Sequence, residues 1–230
     1  MTQSAAEERL AALATGWSAS GDLRAVFAEC YRVMTARLSE GVAAGDFADG
    51  EWVGRLRDRF ADYYFEALDA YGPPPGATPC PQTWRVAFDA CARPGCHPLE
   101  ALLLGINAHI NHDLALALAD VLDDWDVLTP EQRVARRADH EHVNDVIRAT
   151  TDEVQRDVVA TWSPASNRLD SALGRVDEWA FGTLVEHWRT RVWDDAMALV
   201  AAAPDARSGV VARLDDDARR LARIIAILPG

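Results

Sequence analysis

The spacing of apolar residues predicts helices along almost the whole chain. Apolar positions recur every three or four residues in eight segments, and apolar and polar residues alternate nowhere over the length of a strand. The segments span residues 5–13, 23–44, 51–70, 82–90, 99–122, 130–161, 176–203 and 210–228. Glycine- and proline-rich stretches separate them, and none is long enough to divide the chain. We therefore predict an all-α fold, a single globular domain over residues 1–230 with about eight helices.

Residues 98–122 differ from the other segments because apolar residues lie on every side of the predicted helix. The segment reads PLEALLLGINAHINHDLALALADVL, and a helix of this kind belongs in a core. We therefore predict a buried central helix over about 98–122. Five polar residues interrupt its middle: Asn107, His109, Asn111, His112 and Asp113. Because such groups are costly to bury unless they are paired, hydrogen-bonded or bound to a metal, this cluster is the first candidate site.

The helical wheel places two members of the cluster on one face. At about 100° per residue, Asp113 lies roughly 40° from His109, and Gly105 falls in the same stripe. We expect the glycine to leave room for a ligand beside the imidazole. His109 and Asp113 are therefore the predicted catalytic or ligand-binding residues. Asn107 and Asn111 lie away from His109, and we expect their amides to bond with backbone groups of a neighbouring element.

The predicted helix over 130–161 is the second place where polar residues enter an apolar face. Asp139 and His142 are three residues apart, so their side chains can converge on one point, whereas His140 points away. Asp139 is the expected third catalytic residue, in a pocket lined by Tyr31, Tyr63, Tyr64, Trp84 and Trp188. The predicted metal ligands are His109, Asp113, Asp139 and His142, a set that suits the divalent metals zinc, iron or manganese. The alternative is that each histidine bonds to its aspartate and holds two helices in register.

Composition excludes several classes of partner. The chain has 36 acidic residues and 23 basic ones, a net charge of −13, and it lacks a basic stripe. Binding to nucleic acid or to an anionic membrane requires clustered positive charge, so neither is expected. The first residues lack the apolar core of a signal peptide, and we expect a cytoplasmic protein with a small-molecule ligand. A homodimer is left open.

Four cysteines do not indicate a disulfide framework in a chain of this length. Cys80, Cys91, Cys96 and His97 lack the close paired spacing of a structural zinc site. Free thiols are the expected state.

The segment LLLGINAHINHDLALAL resembles the signature of an uncharacterised all-helical bacterial family whose members share the pattern LLLGxNAHINxDL. The similarity extends through most of the chain, upstream to Phe27 and downstream to Leu199. The resemblance implies functional positions at Asn107, His109, Asn111, Asp113, Asp139 and Asn144. Within that set we expect Asn107, Asn111 and Asn144 to be structural. His112 and His142 stand outside the family pattern, and the family implies no particular reaction.

Two classes of function follow from these observations. The first is an enzyme of bacterial small-molecule metabolism that uses the His/Asp site for hydrolysis, proton-transfer isomerisation or cyclisation, with or without a divalent metal. An iron-dependent oxygenase is a variant of this class, although the chain lacks the paired Glu-x-x-His motifs of di-iron bundles. The second is a non-catalytic helical protein that binds a ligand or acts as a scaffold, in which the polar core fixes one packing arrangement.

Overall fold

Eight long helices and no strand occur in the part of the chain that the computed structural model describes, residues 4–72, 79–154, 156, 158, 160–162 and 167–226. Residues 152, 160 and 167–181 are described by their backbone alone. The helices are α1 (Ala5–Ser20), α2 (Arg24–Ala44), α3 (Gly50–Tyr71), α4 (Gln82–Ala92), α5 (Pro98–Val121), α6 (Pro130–Val154), α7 (Asn167–Ala201) and α8 (Pro204–Ile225). A 3₁₀ turn, Trp125–Val127, precedes α6, and a short helix, Ala160–Trp162, precedes α7. The predicted all-α fold is confirmed.

Side chains fix where several of these helices begin. The Ser4 hydroxyl accepts a hydrogen bond from the Glu7 N–H at 3.2 Å, and the Asp49 carboxylate accepts one from the Trp52 N–H at 3.0 Å. Pro98 stands at the first position of α5, where its missing N–H leaves no donor unpaired. Helix α2 ends at Gly45, whose φ of 83° lies in the left-handed region that glycine enters without strain.

Helix α5 is the central element. By length and composition alone it could cross a membrane, but 83% of its most apolar window is buried inside the fold, as in a core helix. It packs against α2, α3, α4, α7 and α8. The buried central helix that the apolar pattern predicts is therefore present, and the polar cluster within it is enclosed by five neighbouring helices.

The middle of α5 is not regular. Residues His109–Asp113 form a π-helical turn between the α-helical segments Pro98–Ala108 and Leu114–Val121. A π turn inserts an extra residue into the helix, and such turns are frequent at functional sites. The ideal wheel used to place His109 and Asp113 therefore does not hold here, and the polar cluster coincides with the irregular turn.

Candidate active site

Asp113 is the centre of the polar cluster and is only 1% exposed. Its carboxylate accepts three hydrogen bonds, from Trp84 Nε1 at 2.8 Å, His109 Nδ1 at 3.1 Å and His112 Nδ1 at 2.8 Å. Burial alone would raise the pKa of Asp113, but the bonds from the two histidines hold that pKa below its usual value. Asp113 is therefore an ionised carboxylate, and each imidazole carries its proton on Nδ1.

His109 is the member of the cluster with an unused nitrogen. The residue is 3% exposed, and its Nε2 has no hydrogen-bond partner in the part of the chain that the structure describes. Burial lowers the pKa of His109, against the opposing effect of Asp113, so the ring is neutral near pH 7. With Nδ1 protonated, Nε2 carries a lone pair. This lone pair has a fixed direction and accepts no hydrogen bond within the described residues.

Five aromatic rings surround the His109 imidazole, and we call them the aromatic box: Phe27, Tyr31, Phe60, Tyr64 and Trp84. The Phe60 ring lies parallel to the imidazole with centroids 3.5 Å apart, and the Tyr31 ring meets it edge to face at 4.3 Å. The other three ring centroids lie between 5.6 and 6.1 Å away. The box removes the imidazole from water.

The predicted aromatic lining is correct in part. Tyr31, Tyr64 and Trp84 belong to the box, and the sequence reasoning missed Phe27 and Phe60 as its members. Tyr63 does not contribute, because its ring turns outward and its hydroxyl donates to Asp120 at 2.8 Å. Trp188 is buried but is not one of the rings around His109 among the described residues.

Gly105 does not leave space for a ligand, contrary to the expectation. A methyl group at this position would lie 2.7 Å from two atoms of the Phe27 ring, so the glycine admits Phe27 and not a ligand. A cavity of about 10 Å³, roughly the size of one water molecule, lies beside the box and is lined in part by Gly105, Phe27 and Trp84, but not by His109. A ligand could reach Nε2 only if rings of the box moved.

Asp139 lies elsewhere and is fully engaged. Its two carboxylate oxygens accept hydrogen bonds from the backbone N–H groups of Ala48 and Asp49, at 2.8 and 2.7 Å. Asp49 in turn caps α3, so Asp139 ties α6 to the loop that starts α3. Among the described contacts Asp139 shares no hydrogen-bond partner with His109 or Asp113, so the structure does not bring the predicted third catalytic residue into the cluster.

The predicted metal set is not assembled. The His142 side chain is 41% exposed and bonds to Asp145 at 3.0 Å, so it does not enter the core with Asp139. His109 and Asp113 direct Nδ1 and a carboxylate oxygen at each other and not at a shared point. Within the described residues, no group of three or more His, Cys, Asp or Glu side chains is placed to hold a metal ion. All four cysteines are free thiols, as expected.

The buried histidine of α6 is His140, which the wheel placed outside. Its Nε2 lies 3.1 Å from the Arg189 carbonyl oxygen, while the Arg189 guanidinium donates to the His140 carbonyl and to Asn144 Oδ1, each at 2.7 Å. Burial lowers the pKa of Arg189 to about 10. The sequence reasoning missed this cluster because Arg189 lies on α7, 49 residues away.

The two asparagines of α5 behave largely as predicted. Asn107 donates to the Ala218 carbonyl on α8 at 2.9 Å, which meets the expectation of a bond to a neighbouring backbone. Asn111 instead donates to Asn107 Oδ1 at 3.1 Å, one turn back in its own helix. The pair joins α5 to α8 on the side away from the box.

Comparison with known proteins assigns the chain to a family. A family model described as a family of unknown function (DUF5995) matches residues 4–227. The chain belongs to this family. No curated protein and no solved structure matches it. The DUF5995 match confirms the resemblance to an uncharacterised helical family and assigns no reaction.

In this DUF5995 protein His109 and Asp113 are arranged as the base and the positioning carboxylate of a general-base catalyst are. Asp113 fixes the tautomer and orientation of His109, and Trp84 and His112 fix Asp113 in turn. An imidazole held this way can accept a proton at Nε2 while the carboxylate stabilises the resulting imidazolium. This chemistry requires only the side chains of the cluster.

Proposed function

We propose that this DUF5995 protein is an enzyme of small-molecule metabolism in which His109 is the general base and Asp113 positions it. The observation that carries the proposal is the buried Nε2 of His109, which has no partner among the described residues while Nδ1 is held by Asp113. A buried nitrogen without a partner costs stability, and a histidine with only a packing role would gain by bonding both nitrogens.

Proton transfer is the reaction class that these residues support best. The aromatic box excludes bulk water from the imidazole, which strengthens the electrostatic interactions of the cluster with a bound substrate. The ionised Asp113 beside Nδ1 favours the imidazolium that forms in the transition state. An isomerisation or a cyclisation uses such a base directly. Metal-assisted hydrolysis and oxygenase chemistry have less support, because no group of three or more His, Cys, Asp or Glu side chains among the described residues is placed to hold a metal ion.

A second function is supported by the small free volume of the site. A cavity of about 10 Å³ beside the box holds no substrate in the present conformation. In this alternative the cluster only fixes the packing of α5 against its neighbours, and the protein acts as a scaffold or binds a ligand without converting it. The two functions differ in whether His109 ever exchanges a proton with a ligand.

Hydrogen exchange in D₂O tests the proposal. We would incubate the full chain with a library of small metabolites and follow by NMR which compounds acquire deuterium on carbon. The wild-type protein should label at least one compound, and His109→Gln should reduce that rate by about 100-fold or more.

His142→Gln is the matched control, because His142 forms an exposed pair with Asp145 at almost the same distance. It should label like the wild type. The proposal is wrong if no compound is labelled, or if His109→Gln labels as fast as the wild type while both proteins remain folded by circular dichroism. Either result favours the scaffold.

A further inference from the structure

We propose that Tyr31 is a second catalytic residue of this site, the hydrogen-bond donor to the oxygen of a small, uncharged carbonyl compound whose proton His109 removes. The inference rests on the proposed function and adds to it a residue and a class of substrate. It is carried by a second buried polar atom without a partner. Among the described residues four buried side-chain atoms lack a hydrogen bond, and two of them, Tyr31 Oη and His109 Nε2, belong to the same aromatic box.

Tyr31 is placed to act together with His109. It lies on α2 and is 8% exposed, and its ring centroid is 4.3 Å from that of the imidazole. Phe27, one turn earlier on α2, contacts both rings and keeps them apart from solvent. Two unpartnered polar atoms in one apolar enclosure are expensive, and one ligand oxygen with its neighbouring C–H group could satisfy both.

The protonation states of the two groups are complementary. Burial raises the pKa of Tyr31 well above its usual value, the negative charge of Asp113 raises it further, and the nearby side chain of Thr35 opposes the shift without forming a hydrogen bond of normal geometry. The phenol therefore keeps its proton and can donate it. His109 is neutral with a lone pair on Nε2. The box thus holds one donor and one acceptor, the two functions that formation of an enol requires.

The chemical step balances with these two residues. Nε2 takes a proton from the carbon beside the carbonyl, and the C–H electron pair becomes the new C=C bond. The π pair of the carbonyl moves to oxygen, where the Tyr31 O–H stabilises the developing charge by a hydrogen bond. Return of the proton from the imidazolium to the same carbon regenerates the ketone, and return to a different carbon of a conjugated substrate isomerises it. In D₂O the imidazolium exchanges its Nε2 proton with solvent before the return, so the carbon acquires deuterium.

The surroundings select the substrate class. The rings of Phe27, Phe60, Tyr64 and Trp84 pack around the imidazole itself, so a substrate has to displace part of this packing. The surfaces that it would then meet are aromatic faces, which favour a flat, apolar body. The buried carboxylate of Asp113 repels an anion, and both of its oxygens are already bonded to donors. An uncharged aryl ketone meets these conditions.

Phenylacetone is the probe for this inference. We would measure deuterium uptake at its benzylic carbon, between the ring and the carbonyl group, in D₂O by NMR. The proteins compared are the full-length wild type, Tyr31→Phe, His109→Gln and Tyr63→Phe. Tyr31→Phe should lower the exchange rate constant by about 100-fold with little change in the ketone concentration that gives half-maximal rate, because the lost bond is strongest in the transition state. Tyr63→Phe is the matched control, since Tyr63 bonds to Asp120 outside the box, and it should exchange like the wild type.

Thermal melting gives a readout other than activity. Because Tyr31 Oη has no partner, its removal should leave the melting temperature unchanged or slightly higher, whereas a structural hydroxyl would lower it on removal. A lowered melting temperature together with an unchanged exchange rate constant would overturn the catalytic role of Tyr31. If His109→Gln is inactive on phenylacetone and Tyr31→Phe is not, the inference fails and the general base stands. If the wild type labels metabolites of the library but not phenylacetone, the substrate class is wrong.

Discussion

Two histidine–aspartate pairs in this protein have almost the same local geometry and very different surroundings. In α5, His109 Nδ1 lies 3.1 Å from Asp113; in α6, His142 Nδ1 lies 3.0 Å from Asp145. The side chains of the first pair are 4% and 1% exposed, and those of the second are 41% and 56% exposed. A contact within one helix is therefore not enough to identify a site. The environment around the pair decides what it can do.

Water accounts for most of the difference. The exposed pair competes with solvent and salt for its hydrogen bonds, so its contact adds little to stability. The buried pair has no such competition, and every donor that faces Asp113 depends on that one carboxylate. The same enclosure leaves His109 Nε2 without a partner among the described residues. In the function that we propose, this nitrogen is the base.

Replacement of each aspartate by alanine should give the largest difference in stability between the two pairs. Asp113→Ala leaves three buried donors without an acceptor and should lower the free energy of unfolding by about 3 to 5 kcal/mol. Asp145→Ala should leave stability unchanged within error, because solvent replaces its bonds. Urea denaturation followed by circular dichroism measures both. Equal losses for the two variants would contradict the distinction.

The next test concerns the tight packing around the buried pair. Gly105→Ala would place a methyl group 2.7 Å from the Phe27 ring, and the resulting overpacking should cost about 1 to 3 kcal/mol. Gly54→Ala in α3 is the control, because a Cβ there meets nothing within 4 Å and alanine is the better helix former. It should be neutral or stabilising. A Gly105→Ala variant as stable as the wild type would mean that Phe27 moves easily, and would favour ligand access past that ring.

A third test concerns the dependence of stability on pH. Burial lowers the pKa of His109 and of His140, so below their ordinary value of 6.5 the unfolded chain takes up protons that the folded chain does not. Stability should be complete above about pH 6.5 and should fall as the pH decreases, by up to about 1.4 kcal/mol per pH unit for each histidine. The pKa of Asp113 is also lowered, which adds a further loss below about pH 3.8.

Denaturation between pH 5 and 8 checks this slope. His109→Gln should flatten it in part, and His109→Gln with His140→Gln should flatten it more. The carboxylate of Asp113 opposes the effect of burial on the pKa of His109, whereas the charge of Arg189 adds to that effect on the pKa of His140. A contribution of His109 to the slope would show that burial outweighs Asp113. Stability that rises as the pH falls from 7 to 5 would have the wrong sign.

The sequence by itself determined the all-helical fold and the central position of α5. A helix that is apolar on all sides has to be covered, and that requirement depends on local periodicity alone. The same reasoning identified His109 and Asp113, because polar groups in such a helix must find partners. The capping of α3 by Asp49 is also a local feature that the sequence contains.

Only the tertiary structure decided which polar residues meet. The ideal wheel brought Asp139 and His142 toward the core, yet Asp139 bonds to the backbone before α3, and His142 faces solvent while His140 is buried. The π turn at 109–113 breaks the angular phase on which such a wheel depends. Trp84, Tyr31 and Phe60 reach His109 from three other helices. Contacts between distant segments depend on how whole helices pack, and periodicity within one helix carries no information about them.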